Sequence, residues 1–209
     1  ELVNATPPSS GSNEELWSFY KRRAKAADHL GMNKLMAQDC EKEIEYAPKN
    51  NYDRYHDAIF TCVNAEFRQG NVLGAIQRLK EGLKQIPSSQ AYGWQLAYQM
   101  LLINGYRVMG DLESAQTSVR EMEGLIFVLQ RGRAWAEWGN HFTSQAERAR
   151  GEYQLTAGQP VAAELSFVRS LRAQDAKCAD IDGDDLRGRT ATPTIKPAIF
   201  TVAPSFWGI

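Results

Sequence analysis

The feature that most constrains the fold is an internal repeat, because one pattern occurs four times along the chain. Each copy has a segment with apolar residues at helical spacing, then a glycine, then a second such segment. The four glycines are Gly31, Gly70, Gly110 and Gly158. A glycine in this position lets the chain turn sharply between two helices. The repeat therefore predicts helix–turn–helix units in a nearly all-helical protein, with a non-repetitive helical bundle as the alternative.

The clearest copy surrounds Gly70. It reads Ala65-Glu66-Phe67-Arg68-Gln69-Gly70-Asn71-Val72-Leu73-Gly74-Ala75-Ile76 and continues through Leu79, Gly82 and Leu83 to Pro87. Ala75 is small where two helices would approach closely, and Pro87 would end the second helix. Pro48 and Pro87 each follow the glycine of their unit by 17 residues. A shared offset of this kind is expected of a true repeat.

This copy resembles the signature of the tetratricopeptide repeat family, and the resemblance covers residues 13–175. It implies an all-α, right-handed superhelix of helix–turn–helix repeats. The glycines lie 39, 40 and 48 residues apart, whereas the period of the family is about 34 residues. The first helices must therefore be longer than usual, and we expect long helices over residues 88–109 and 131–157.

Three regions are expected along the chain. Residues 1–13 are rich in Pro, Ser, Asn and Gly and form a disordered leader, residues 14–175 form the repeat domain, and residues 176–209 form a linker and a tail. The end of the tail, residues 198–209, is apolar, and Pro197 and Pro204 argue against another helix. We expect an extended strand that docks on the protein's own surface, or on a neighbouring domain or chain.

The charge balance argues against two classes of partner. With 24 basic and 25 acidic side chains the formal net charge is −1, so no overall field attracts nucleic acid or an anionic bilayer. The apolar runs are also too short to span a membrane. Cys40, Cys62 and Cys178 are interpreted as small buried apolar residues, with at least one thiol free or paired between chains.

No motif specifies a catalytic or metal site, so we expect no enzyme activity, no cofactor and no bound metal. His56 between Asp53 and Asp57 could serve as a general base, but a solvated helix face is the favoured interpretation. The segment 180–185 resembles the start of a calcium-binding loop. It lacks the glycine and the bidentate glutamate of that motif, so an acidic linker is favoured.

The family resemblance also implies where a partner would bind. Family members hold peptides in a concave groove lined by their first helices, at positions counted back from the turn glycine. Transferred to this chain, the peptide-binding positions are Lys21, Lys25, Phe60, Asn64, Phe67, Met100, Asn104, Arg107 and Arg148. These residues would make a groove with an apolar middle and basic rims. Such a groove suits a peptide with apolar anchors and some acidic character.

The favoured function is a protein-binding scaffold or adaptor. The alternative is a regulatory or sensor module of a larger protein whose effector domain, such as a protease, cyclase or kinase, lies outside this chain. A cytoplasmic location is favoured, and export after cleavage of a signal peptide stays open.

Overall fold

The computed structural model of the chain describes residues 2–48, 51–86 and 91–181, with side chains to residue 175. Within these residues the chain forms α-helices and one short 3-10 turn, Leu2–Asn4, and no strand. The helices are α1 (Asn13–His29), α2 (Asn33–Tyr46), α3 (Tyr52–Arg68), α4 (Val72–Gln85), α5 (Tyr92–Met109), α6 (Leu112–Leu129), α7 (Ala134–Thr156) and α8 (Pro160–Ile181). The predicted all-α fold is confirmed for this part of the chain.

The four predicted turns are present and share one backbone geometry. All four glycines have a positive φ, between 69° and 77°, a conformation that side chains with a Cβ rarely adopt. In each turn the glycine N–H donates to the carbonyl three residues before it. The N–H of the next residue donates to the carbonyl four residues before the glycine, with all eight N···O distances between 2.8 and 3.2 Å. This is the Schellman arrangement, which satisfies the last carbonyls of a helix.

The helix bounds repeat as closely as the turns do. Every boundary of the pair α3 and α4 lies 39 residues after the matching boundary of α1 and α2. Helices α5 and α6 begin 40 residues after α3 and α4. The long helix predicted near residue 131 is confirmed as α7, whereas α5 begins at Tyr92, later than predicted. The small residues expected at close helix contacts, Ala75, Ala115 and Ala163, are all buried.

The described residues fall into two compact units, one ending at Trp94 and the other beginning at Gln95. In the first unit, α1 packs on α2, α2 on α3 and α3 on α4. In the second unit, α6 packs on α7 and α7 on α8. None of the described helices is both long enough and apolar enough to cross a bilayer.

Two of the three cysteines are buried, as interpreted from the sequence, but they are not merely small apolar residues, because they bond to each other. Cys40 on α2 and Cys62 on α3 form a disulfide, with their Cα atoms 5.1 Å apart. Both residues are buried against Ala27, Met36 and Ala65. The bond joins the second helix of one pair to the first helix of the next. A separation of 22 residues in sequence gives no sign of this contact, which arises because α2 and α3 pack side by side.

Both ends of the repeat region have structure beyond the bounds predicted from the sequence, residues 14–175. Near the start, Val3 packs against the cluster around the disulfide, and Arg23 Nη1 donates to the Ala5 carbonyl at 2.6 Å. At the other end, α8 continues to Ile181, past the predicted end of the repeats. The predicted linker and apolar tail beyond it, and most of the segment that resembles a calcium loop, lie outside the described residues.

Candidate binding faces on the first helices

Three of the predicted binding residues share one face of α3 in the first unit. Phe60, Asn64 and Phe67 lie four and three residues apart, a spacing that places them side by side on a helix. All three are half-buried. Asn64 Nδ2 donates to the Phe60 carbonyl at 3.0 Å, and the Phe60 ring lies 6.5 Å from the Trp94 ring, edge to face. The carboxamide oxygen of Asn64 has no hydrogen-bond partner among the described residues.

The matching residues of α5 form a similar face in the second unit. Met100, Asn104 and Arg107 are half-buried and have the same spacing. Arg107 Nη2 donates to Asn104 Oδ1 at 2.7 Å. This bond fixes the Asn104 carboxamide with its oxygen toward the arginine, so that its NH₂ group points the other way.

A residue that the sequence interpretation missed, Glu152 on α7, connects two predicted ones. Its carboxylate lies 3.6 Å from Arg107 Nη2 and 3.9 Å from Arg148 Nε. Glu152 stands six residues before Gly158, the same offset that Asn64 and Asn104 have from their glycines. Burial raises its pKa, although both arginines lower it. The predicted basic rim of this unit therefore contains one carboxylate, which balances part of the positive charge of the two arginines.

The two predicted lysines of α1 differ in their surroundings. Lys21 forms an ion pair with Asp57, and its ammonium lies 4.8 Å from the centre of the Trp17 ring. Lys25 is exposed. Because Lys21 already has an acidic partner, it is less available to an acidic ligand than the sequence alone suggested.

His56 does not lie at an open surface, where it could serve as a general base. The side chain is buried, with Tyr52, Tyr55 and Trp94 around its ring. Burial lowers the pKa of His56 to about 4, and the nearby Asp53 carboxylate opposes this only in part. Asp53 accepts a hydrogen bond from Trp94 Nε1 at 2.9 Å, and Asp57 pairs with Lys21. The histidine is thus a neutral core residue, as buried imidazoles often are.

The sequence interpretation also missed a buried group of charges between α1, α2 and α3. Arg23 holds Asp39 through two hydrogen bonds of 2.8 Å. One turn further along α2 lies Glu43, fully buried, with no hydrogen-bond partner for either carboxylate oxygen. The nearby Thr61 hydroxyl donates to the Asp57 carbonyl instead. A signal was present in the sequence, since Asp39 and Glu43 fall on the helix face that carries Met36 and Cys40.

Burial raises the pKa of Glu43 to about 8, and the carboxylates of Asp57 and Asp39 add to the rise. Lys21 and the Thr61 hydroxyl oppose it. The neutral acid is therefore the main form near pH 7, because an unpaired buried carboxylate would be costly. Asp39 and Glu43 are both fully buried, so we expect these charges to influence the stability of the fold.

One set of side chains has the spacing of a metal site. A carboxylate oxygen of Glu41 and the sulfurs of Cys40 and Cys62 lie within 4.8 Å of one another. The sulfurs are bonded to each other, however, and Glu41 pairs with Arg78 at 2.6 Å. Metal binding requires free thiolates, so this set offers no site while the disulfide is intact.

No family model matches the chain, and searches of curated proteins and of solved structures found no match. The family resemblance therefore depends on the repeat residues, and the turns and helix bounds described above are compatible with it.

Proposed function

We propose that the chain is a scaffold or adaptor of the tetratricopeptide type, which binds a polypeptide on the exposed faces of its first helices. The observation that supports this most is the equivalence of two faces. Phe60, Asn64 and Phe67 on α3 correspond, 40 residues on, to Met100, Asn104 and Arg107 on α5. All six are half-buried, so each face keeps apolar surface and a central asparagine accessible.

The chemistry of these faces favours an extended peptide with apolar anchors. Phe60, Phe67 and Met100 offer apolar surface for large side chains. Asn64 has an accessible carbonyl oxygen and Asn104 an accessible NH₂ group, which suit the N–H and C=O groups of a peptide backbone. An acidic preference should be weaker than the sequence suggested, because Lys21 and Arg107 already face Asp57 and Glu152.

Selection from a random peptide library displayed on phage, followed by calorimetry with the best peptide, tests the proposal. Asn64→Ala with Asn104→Ala should weaken that peptide by about five- to 150-fold, the cost of an unpaired buried hydrogen-bonding group. The matched controls are Gln77→Ala and Gln116→Ala, exposed amides on the second helices α4 and α6. Equal losses in both double variants, or no loss in either, would contradict the assigned faces.

The disulfide supports an oxidising compartment over the cytoplasm, since such bonds persist mainly in secreted or periplasmic proteins. We therefore propose that the scaffold acts outside the cytoplasm. Blocking free thiols before cell lysis, followed by mass spectrometry of the peptides that contain Cys40 and Cys62, decides this. Alkylation of both residues in the native protein would contradict it.

A further inference from the structure

One helix of the second unit exposes several large apolar side chains on its outer face, among charged ones such as Glu164 and Arg172. Its inner face is well packed against α7, because Ala163, Ser166 and Ser170 are buried. Ser166 Oγ donates to Gln154 Oε1 at 2.9 Å, and Ser170 Oγ donates to the Ser144 carbonyl at 2.8 Å. On the opposite side, α8 exposes a stripe made of Val161, Leu165, Val168 and Leu171, with exposed fractions of 73%, 56%, 37% and 58%.

Comparison with the other copies of the repeat shows that two residues of this stripe are unusual. The position of Leu165 is occupied by Gln38 in α2, Gln77 in α4 and Thr117 in α6. The position of Val168 is occupied by Glu41, Lys80 and Arg120 in the same three helices. All six of these side chains are polar and exposed.

The alignment of the four helices is secure because Met36, Ala75, Ala115 and Ala163 share one position and are all buried. At the positions of Leu165 and Val168, the apolar side chains of α8 therefore replace polar side chains that are exposed in the other three copies. In repeat proteins the terminal helix normally has a polar outer face, which keeps the array in solution. The exposed apolar side chains of the last described helix instead call for a covering segment.

The chain itself supplies a candidate directly after α8. Residues 198–209 contain no charged side chain, and six of them are large and apolar: Ile199, Phe200, Val202, Phe206, Trp207 and Ile209. The intervening residues 182–197 could span up to about 50 Å when extended. The helix from Val161 to Ile181 is only about 30 Å long. The apolar segment can therefore reach every residue of the stripe.

We propose that residues 198–209 bind the outer stripe of α8 in the same chain. A tether of this length gives an effective concentration on the order of millimolar, so that even a weak apolar contact would be occupied. Residues 198–209 would then shield the apolar side chains at the end of this array from water. In other repeat proteins a polar capping helix has this role. This inference does not depend on the proposed peptide-binding function, because the stripe lies on a second helix, whereas the binding faces lie on α3 and α5.

Photo-crosslinking tests the proposal most directly. Benzoylphenylalanine in place of Leu165, irradiated in an equal mixture of isotopically light and heavy chains, should crosslink to residues 198–209 of its own chain. Benzoylphenylalanine in place of Thr117, at the matching position of α6, should not. Crosslinks between light and heavy chains would show that a second copy covers the stripe and would overturn the proposal. So would the absence of crosslinks to residues 198–209.

A second measurement replaces two residues of the stripe by the residues that another copy of the repeat has at the same positions. Leu165→Gln with Val168→Lys gives α8 the residues that α4 has at these positions, so the fold should survive. In this variant the amides of residues 198–209 should exchange about tenfold faster or more, because the segment loses its contact. Thr117→Gln is the control and should leave their exchange unchanged. Equal exchange in the double variant and the wild type would also overturn the proposal.

Discussion

Replacing Glu43 by glutamine should stabilise the first unit, and the gain should grow as the pH rises. The glutamate is fully buried, its oxygens have no hydrogen-bond partner, and Asp39 and Asp57 lie near it. Its pKa of about 8 lies above the ordinary value of 4.5. A group with a raised pKa contributes its full stability below the ordinary pKa. That contribution is lost as the pH rises through the pKa of the folded state.

The size of the effect follows from the two pKa values. One pKa unit corresponds to about 1.36 kcal/mol. The raised pKa of Glu43 therefore lowers the free energy of unfolding at pH 7 by about 3 kcal/mol, compared with a glutamate of ordinary pKa. Between pH 6.5 and pH 9 the free energy of unfolding should fall by about 2 kcal/mol. Glutamine has nearly the same shape and does not titrate, so Glu43→Gln should remove most of this fall.

Urea unfolding at pH 6.5 and pH 9, followed by hydrogen exchange of the α2 amides, measures the effect in the first unit alone. Glu45→Gln is the matched control, because Glu45 is an exposed glutamate on the same helix. The control should keep the pH dependence of the wild type. If the wild type is equally stable at both pH values, or if Glu43→Gln has the same slope as the wild type, the argument from burial fails.

Three further predictions concern the core of the first unit. Reducing the Cys40–Cys62 bond should lower the free energy of unfolding by about 3 kcal/mol, from the entropy of the loop it closes; urea unfolding with and without a phosphine reductant measures this, and an unchanged midpoint would refute it. Ala75→Arg should lower the free energy of unfolding by several kcal/mol because a charge would enter a close helix contact. The control is Gln77→Arg, at an exposed site on the same helix. If the two variants melt within a degree or two of each other, the repeat assignment at Ala75 is wrong. His56 has a pKa lowered from 6.5 to about 4, so its stabilising contribution is present above pH 6.5 and falls by about 3 kcal/mol as the pH drops to 4. His56→Phe should flatten that decline, and an unchanged slope between pH 6.5 and 4 would count against a neutral buried imidazole.

The sequence was sufficient for the local parts of the fold. A glycine such as Gly70 followed five residues later by a small residue such as Ala75 predicts both the turn and the close helix contact. The structure has a positive φ at the first and a buried side chain at the second. These features depend on neighbours within one turn of the chain. Local spacing therefore contains the information that places them.

The contacts between distant residues could not be predicted in this way. Lys21 and Asp57 are 36 residues apart, and Cys40 and Cys62 are separated by 22. Which of these side chains meet depends on the rotation of each helix about its axis, which a single sequence does not specify. The positions of the proposed binding faces, and of Glu152, could be counted from the glycines, but the ion pair of Lys21 with Asp57 could not.

An amide chemical-shift map is the most direct test of whether a polypeptide binds the first helices. The isotopically labelled chain would be titrated with the peptide selected from the random library. The largest shifts should fall on residues 60–67 of α3 and 100–107 of α5, and the amides of α4 and α6 should stay unchanged. Shifts confined to the second helices, with residues 60–67 and 100–107 unaffected, would contradict this prediction.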